Sequence, residues 1–98
     1  FSDMINKDDR VFLLDERGKQ YDSLSFSAKL SRCIDLGIKR IVLVVGGAYG
    51  FSEEMYKCSS ELIALSKLTL THEIARLFIS EQVYRAITII NNHPYHHE

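Results

Sequence analysis

Two short apolar runs, Val11-Phe12-Leu13-Leu14 and Ile41-Val42-Leu43-Val44-Val45, constrain the fold of this chain more than any other feature. Each is too short for a helix and lacks alternation, as expected of a strand buried on both faces. The first is closed by Asp15-Glu16-Arg17-Gly18, which reads as a turn. Between the runs, Ser and Asp residues around positions 22 to 25 offer caps for a helix that places Phe26, Leu30, Cys33 and Ile34 on one face and stops at Gly37. A strand, helix, strand order of this length closes as a right-handed parallel crossover, so the class is α/β. With 98 residues, 46% of them hydrophobic, the chain has material for one compact domain, 1–98, and not for two.

The second strand runs directly into Gly46-Gly47-Ala48-Tyr49-Gly50-Phe51, and Ser52 with Glu53 and Glu54 then has the form of a capped, acidic first helical turn. Glycines at the carboxyl end of a parallel strand stand where open α/β sheets bind ligands, and they let backbone approach a ligand closely. The segments Leu62 to Leu65 and Leu68 to Leu70 are too short for helices and predict a loop with one short strand. From Thr71 to about Ile90 runs the longest helical pattern, with Ala75, Ile79, Val83, Ala86 and Ile90 on one face and Ile74, Leu77 and Phe78 beside it. Apolar cover that wide predicts packing against more than the chain's own sheet, and therefore a partner subunit. The tail from Asn91 to Glu98 holds the only proline and three of the four histidines, with no core-forming pattern.

Charge and cysteine usage exclude several classes. Twelve basic against thirteen acidic residues give a net charge of -1, so any RNA contact must be local, without a bulk positive field. Cys33 and Cys58 form no C-x-x-C pair, which suits a reducing cytosol and disfavours a disulfide. No apolar run reaches the ~20 residues that span a bilayer, and no basic, hydrophobic leader is visible, so the expectation is a cytoplasmic protein. The chain opens on Phe1, and FSDMINKDDR gives no clean domain start, which reads as a chain missing its natural beginning.

Taken singly, the motifs are weak. Gly46-Gly47-Ala48-Tyr49-Gly50-Phe51 is not G-x-G-x-x-G, and no P-loop lysine follows, so a phosphate cradle or dinucleotide site is not indicated. Glu81 and Arg85 are an ordinary i,i+4 pair, although their apolar neighbours point to partial burial. His93, His96 and His97 lack a partner set with zinc-ligand spacing, and His96 and His97 are adjacent, which argues against a metal site. An aromatic, histidine and asparagine tail is equally suited to stacking on an extruded RNA base.

In order and spacing, GGAYGF, LSKLTLTHEIAR, EQVYRA and NNHPYHHE together resemble the RlmH family of SPOUT-class methyltransferases, the 23S rRNA pseudouridine-N3 methyltransferases. The family closes with a T-x-x-N-x-H-P-Y-H-like segment, matched by Thr88, Asn91, Asn92, His93, Pro94, Tyr95 and His96. The resemblance covers essentially the whole chain and implies a parallel-rich sheet with helices on both faces, a C-terminal trefoil knot, and an N-terminal strand and helix absent from this sequence. It implies S-adenosyl-L-methionine (SAM) as cofactor, contacted at Leu14, at Gly47, and along Ser66, Lys67, Leu68, Thr69, Leu70 and Thr71. It also implies a homodimer whose active site joins one subunit's cofactor pocket to the other's tail, with Arg76, Glu81, Arg85, His93, Tyr95 and His96 as substrate and catalytic groups.

The implied reaction removes the N3 proton of a pseudouridine in helix 69 of 23S rRNA, with His96 as base and Arg85 as stabiliser of the developing anion. The near-neutral charge favours a target shaped by the whole 70S ribosome over free RNA. Three departures from relatives stand out: Ala48-Tyr49 in place of Pro-Glu, Thr71 in place of Pro, and His97 in place of an arginine. Two rival readings stay open, a non-catalytic RNA-binding module of the same fold and a metal-binding domain built on the histidine tail.

Overall fold

The computed structural model describes residues 4–46, 50–66 and 70–91. Its elements are β1 (Arg10–Gln20), α1 (Ser23–Asp35), β2 (Ile41–Val45), α2 (Glu53–Cys58), β3 (Glu61–Ala64) and α3 (His72–Ile90). The strands form one sheet in the order β2-β1-β3, with both pairings parallel. The α/β class and the parallel relation of the first two runs follow the sequence expectation. β1 and β2 pair in unbroken register from Arg10 opposite Ile41 to Leu14 opposite Val45.

One expectation is corrected. The stretch Asp15-Glu16-Arg17-Gly18 does not end the first strand, which continues to Gln20. Its ladder with β3 instead breaks there: Leu14 is opposite Ile63, and Lys19 is opposite Ile63 again. The polar residues are extruded from the ladder at the carboxyl edge, and the strand then rejoins β3. Gly18 permits the return, since a Cβ at that position would lie 2.4 Å from the Leu62 carbonyl carbon.

Local chemistry fixes the helix ends. The Asp22 side chain accepts from the Ser25 N–H at 2.7 Å and starts α1. Gly37, at φ 81°, ends it, with its N–H on the Ile34 carbonyl and the Ile38 N–H on the Cys33 carbonyl, a Schellman closure. Ser52 and Thr71 cap α2 and α3 through the N–H groups of Met55 and Ile74.

Phe12, Phe26, Leu30, Cys33, Ile63, Ile79 and Ala86 form the core, which binds α1 and α3 to one face of the sheet. Val11 and Leu13, of opposite parity on β1, are fully buried too, so the central strand is covered on both sides. The buried Ser27 hydroxyl is satisfied by donating to the Leu24 carbonyl. Ile34 is a second correction. It sits just beyond the α1 stripe and is exposed, while Phe26, Leu30 and Cys33 take the core. On α3, Ile79 and Ala86 are buried as the pattern predicts, whereas Ile74, Leu77 and Phe78 lie exposed along the neighbouring face. Among the described residues no helix is long and apolar enough to cross a membrane. Cys33 and Cys58 are free thiols. The knot depends on the tail, whose residues 92–98 lie outside the described ones.

Candidate functional site

A cleft of about 1050 Å³ opens at the carboxyl edge of the sheet, at the upper end of the volumes typical of small-molecule sites. Leu14 lines it from the break in the β1–β3 ladder, Val45 and Gly46 from the end of β2, and Leu65 and Ser66 from just after β3. The first turn of α3 closes the far side with Leu70, Thr71, His72 and Glu73. This arrangement follows from the topology, because parallel strands deliver all their carboxyl ends to one edge. Four of the cofactor residues implied by the resemblance, Leu14, Ser66, Leu70 and Thr71, therefore converge on one cleft. Gly47, Lys67, Leu68 and Thr69 lie outside the described residues.

The cleft also gathers side chains that pattern reading passed over. The Asp15 carboxylate, only 9% exposed, accepts from the Arg17 Nε and Nη2 at 3.2 and 3.0 Å and from the Arg17 backbone N–H at 2.9 Å. Tyr56 of α2 donates its hydroxyl to the same carboxylate at 2.7 Å, and the Arg17 guanidinium donates in turn to the Tyr56 oxygen. Hydrogen bonding from Arg17, reinforced by Tyr56 and opposed by burial, holds the Asp15 carboxyl well below the usual carboxylate range. The Tyr56 phenol is pushed up, chiefly because it donates to that anion. Phe51 packs edge-on to Tyr56 at 5.8 Å and lies over Gly46, where an added Cβ would come within 2.9 Å of its ring. Across the cleft, His72 Nδ1 is 2.9 Å from the Gly46 carbonyl, an acceptor, so Nδ1 carries the proton. These contacts tie the end of β2, α2 and the start of α3 to β1. The signal that could have found them was the charged Asp15-Glu16-Arg17 stretch directly after the largely buried apolar run Val11 to Leu14, at the ligand-binding edge.

Leu14, Val45, Leu65 and Leu70 give the cleft apolar walls, and Asp15, Glu16 and Glu73 against Arg17 leave its charged lining acidic on balance. The α3 residues expected to act on substrate stand apart from it. Glu81 and Arg85 are bonded to each other, Nε to Oε1 at 2.8 Å, and are half-buried; Arg76 is exposed. None of the three lines the cleft. Arg85 is ten residues beyond Ala75, the last cleft residue of α3, or roughly 15 Å along the helix axis. His93, Tyr95 and His96 lie outside the described residues. Among the described residues no group of His, Cys, Asp and Glu side chains could hold a metal ion.

Two other features are separate from this cleft. A cavity of about 280 Å³ sits between Tyr21, Phe26, Ile79 and Gln82, where Ser23 donates to the Gln82 carbonyl at 2.8 Å. Lys29 pairs with Glu61 at 2.6 Å, and Tyr21 donates to the same carboxylate. Burial acts to raise the Glu61 carboxyl, but the hydrogen bonds from Lys29 and Tyr21 outweigh it and the group ends below its ordinary range.

Residues 1–96 match the family model described as "Predicted SPOUT methyltransferase". Similar proteins from Christiangramia forsetii, Parabacteroides distasonis and Geobacter sulfurreducens are each named ribosomal RNA large subunit methyltransferase H. The first is 52% identical over 93 residues, covering 95% of this chain and 59% of the relative. The second is 54% identical over 90 residues, covering 92% and 57%, and the third 46% identical over 94 residues, covering 96% and 61%. The chain thus spans about 57 to 61% of the length of these relatives. Matched over nearly its whole length by both kinds of comparison, and built on a parallel sheet with a ligand-sized cleft at its carboxyl edge, the chain belongs to the SPOUT methyltransferase family, among relatives of the ribosomal RNA large subunit methyltransferase H type.

Proposed function

We propose that this chain binds S-adenosyl-L-methionine in the carboxyl-edge cleft and methylates N3 of a pseudouridine in helix 69 of 23S rRNA, acting in the cytoplasm on the assembled ribosome. The observation that carries the reading is the convergence of Leu14, Ser66, Leu70 and Thr71, from three separate chain segments, on one cleft. When bound, the cofactor supplies an electrophilic methyl group on a cationic sulfur. The chain's own residues bind, orient and move a proton: the apolar walls hold the adenine, and the backbone around Gly47 and the Ser66 to Thr71 loop offers hydrogen bonds to it.

On the substrate side, His96 accepts the N3 proton and Arg85 stabilises the negative charge that develops on the base. Glu81 fixes the Arg85 guanidinium in place through its paired hydrogen bonds, while Arg76, His93 and Tyr95 hold the nucleotide. Because Arg85 stands roughly 15 Å along α3 from the cleft end of that helix, it serves the cleft of a second copy, in a homodimer joined through the exposed Ile74, Leu77 and Phe78 face. The knot, formed as the tail passes through a loop, belongs to the same reading.

The test is transfer of a labelled methyl group from S-adenosyl-L-methionine to ribosomes that lack this modification, combined with calorimetric titration of S-adenosylhomocysteine. The reading predicts saturable binding of S-adenosylhomocysteine and label at N3 of the pseudouridine. Absence of heat with either cofactor form would overturn it. Equal methylation of protein-free 23S rRNA and of ribosomes would remove the ribosome from the proposal.

A further inference from the structure

Among the described residues lining the cleft, Arg17 is the one permanent cation, set against Asp15, Glu16 and Glu73. An RNA strand that presents a base to this cleft must bring its phosphodiesters past those carboxylates, in a chain whose net charge is -1. Arg17 is built to meet them. Its Nε–Nη2 edge is fixed by the Asp15 carboxylate, Nη2 also donates to the Tyr56 oxygen, and the guanidinium carbon lies 5.2 Å from the Tyr56 ring centroid, so two residues hold the group in place. Asp15 is 9% exposed and Arg17 66% exposed, so the side of the pair turned to solvent is the cationic one. A guanidinium held in one orientation loses little conformational freedom when it binds a planar or tetrahedral oxyanion.

We propose that Arg17, oriented by Asp15 and Tyr56, is a phosphodiester-binding residue that anchors the RNA strand at the mouth of the cofactor cleft. The inference rests on the proposed RNA substrate and adds to it a contact on the cleft's own subunit. Asp15 and Tyr56 are positioning residues: they act on the RNA through Arg17. The same anion chemistry could instead hold the carboxylate of the cofactor's methionine end, and the two sources separate experimentally.

The experiment measures binding of the chain and its variants to ribosomes lacking the methyl group across a series of salt concentrations, beside calorimetry with S-adenosylhomocysteine and thermal unfolding. For Arg17→Ala we expect ribosome affinity about tenfold lower, a salt slope reduced by about 1, and S-adenosylhomocysteine affinity within about twofold of the unaltered chain. Tyr56→Phe keeps the ring and removes the hydroxyl; it should weaken ribosome binding by about two- to threefold, and Arg17→Lys, which keeps charge without the fork, should fall between the two. An unchanged salt slope in Arg17→Ala would overturn the inference. So would a fall in S-adenosylhomocysteine affinity with ribosome binding intact, which would assign Arg17 to the cofactor carboxylate. Failure of the unaltered chain to bind ribosomes while still binding S-adenosylhomocysteine would remove the RNA reading, and the anchor with it, and leave the cofactor reading standing.

Discussion

The core beneath α1 and α3 and the cleft at the carboxyl edge are built from the same three strands by opposite means. The core is formed by side chains at regular spacings on long elements, Phe12, Phe26, Leu30, Ile79 and Ala86, and is held by burial. The cleft is formed where the β1 ladder breaks and where β2 ends and α3 begins, by Asp15, Gly46, Phe51, Tyr56, Thr71 and His72, and is held by hydrogen bonds between groups far apart in sequence. The difference teaches that stability and ligand chemistry are separable in this fold, and substitutions in the two regions should change different observables.

The largest effect is predicted for Phe12→Ala. Phe12 is 2% exposed at the centre of the core, so the loss should be about 3–5 kcal/mol, read by chemical denaturation. The fraction that stays folded should bind S-adenosylhomocysteine normally. A midpoint close to that of the unaltered chain would break the comparison at its core end.

Gly18→Val comes next. Any side chain there meets the Leu62 backbone, and the clash should cost about 1–3 kcal/mol, with the residue-20 end of β1 losing its pairing to β3 in hydrogen exchange. Thr71→Ala removes the cap of the helix that walls the cleft and should cost about 1 kcal/mol. Because Thr71 both caps α3, which carries core residues, and lines the cleft, S-adenosylhomocysteine affinity should fall along with stability, whereas Phe12→Ala should separate them.

A smaller effect concerns acid. The Asp15 carboxyl is depressed in the folded chain, so its stabilising contribution is present above the unfolded carboxylate pKa of ~3.9 and fades as pH falls below it. Thermal unfolding of the unaltered chain and of Asp15→Asn should therefore differ at pH 7, with the difference shrinking progressively as pH falls below ~4 toward the depressed native value. A difference that persists unchanged into that acid range would show that Asp15 stabilises through contacts independent of its charge. The smallest change in subunit stability is predicted for Leu77→Glu, which alters an exposed position and should cost within about 0.5 kcal/mol. Sedimentation should nevertheless show the variant shifted to monomer if that face joins two copies.

What could be read from sequence divides along the same line. Periodicity located the core because a helix that packs on a sheet repeats its contacts every turn, and Phe26, Leu30, Cys33, Ile79 and Ala86 do so. The limits of that reading appear at Ile34, where stripe width alone cannot tell the last covered residue from the first exposed one. The turn chemistry of Asp15-Glu16-Arg17-Gly18 makes β1 look shorter in sequence than it is; the chain extrudes those residues and then rejoins the ladder. In the cleft, Leu14, Ser66, Leu70 and Thr71 were legible only through resemblance, and the Asp15–Tyr56 bond was not legible at all. It joins residues 41 apart, and no local rule pairs a carboxylate at a break in a strand ladder with a phenol on a short helix.

The central claim, that the carboxyl-edge cleft binds S-adenosylmethionine, is tested most directly by a methyl-resolved NMR titration with S-adenosylhomocysteine. The account predicts saturable shifts at Leu14, Val45, Leu65, Leu70 and Ala75, which line the cleft, with Leu30 and Ala86 of the core little changed. Saturation without shifts at those cleft methyls, or shifts confined to Ile79 and Ala64 beside the smaller cavity, would contradict it.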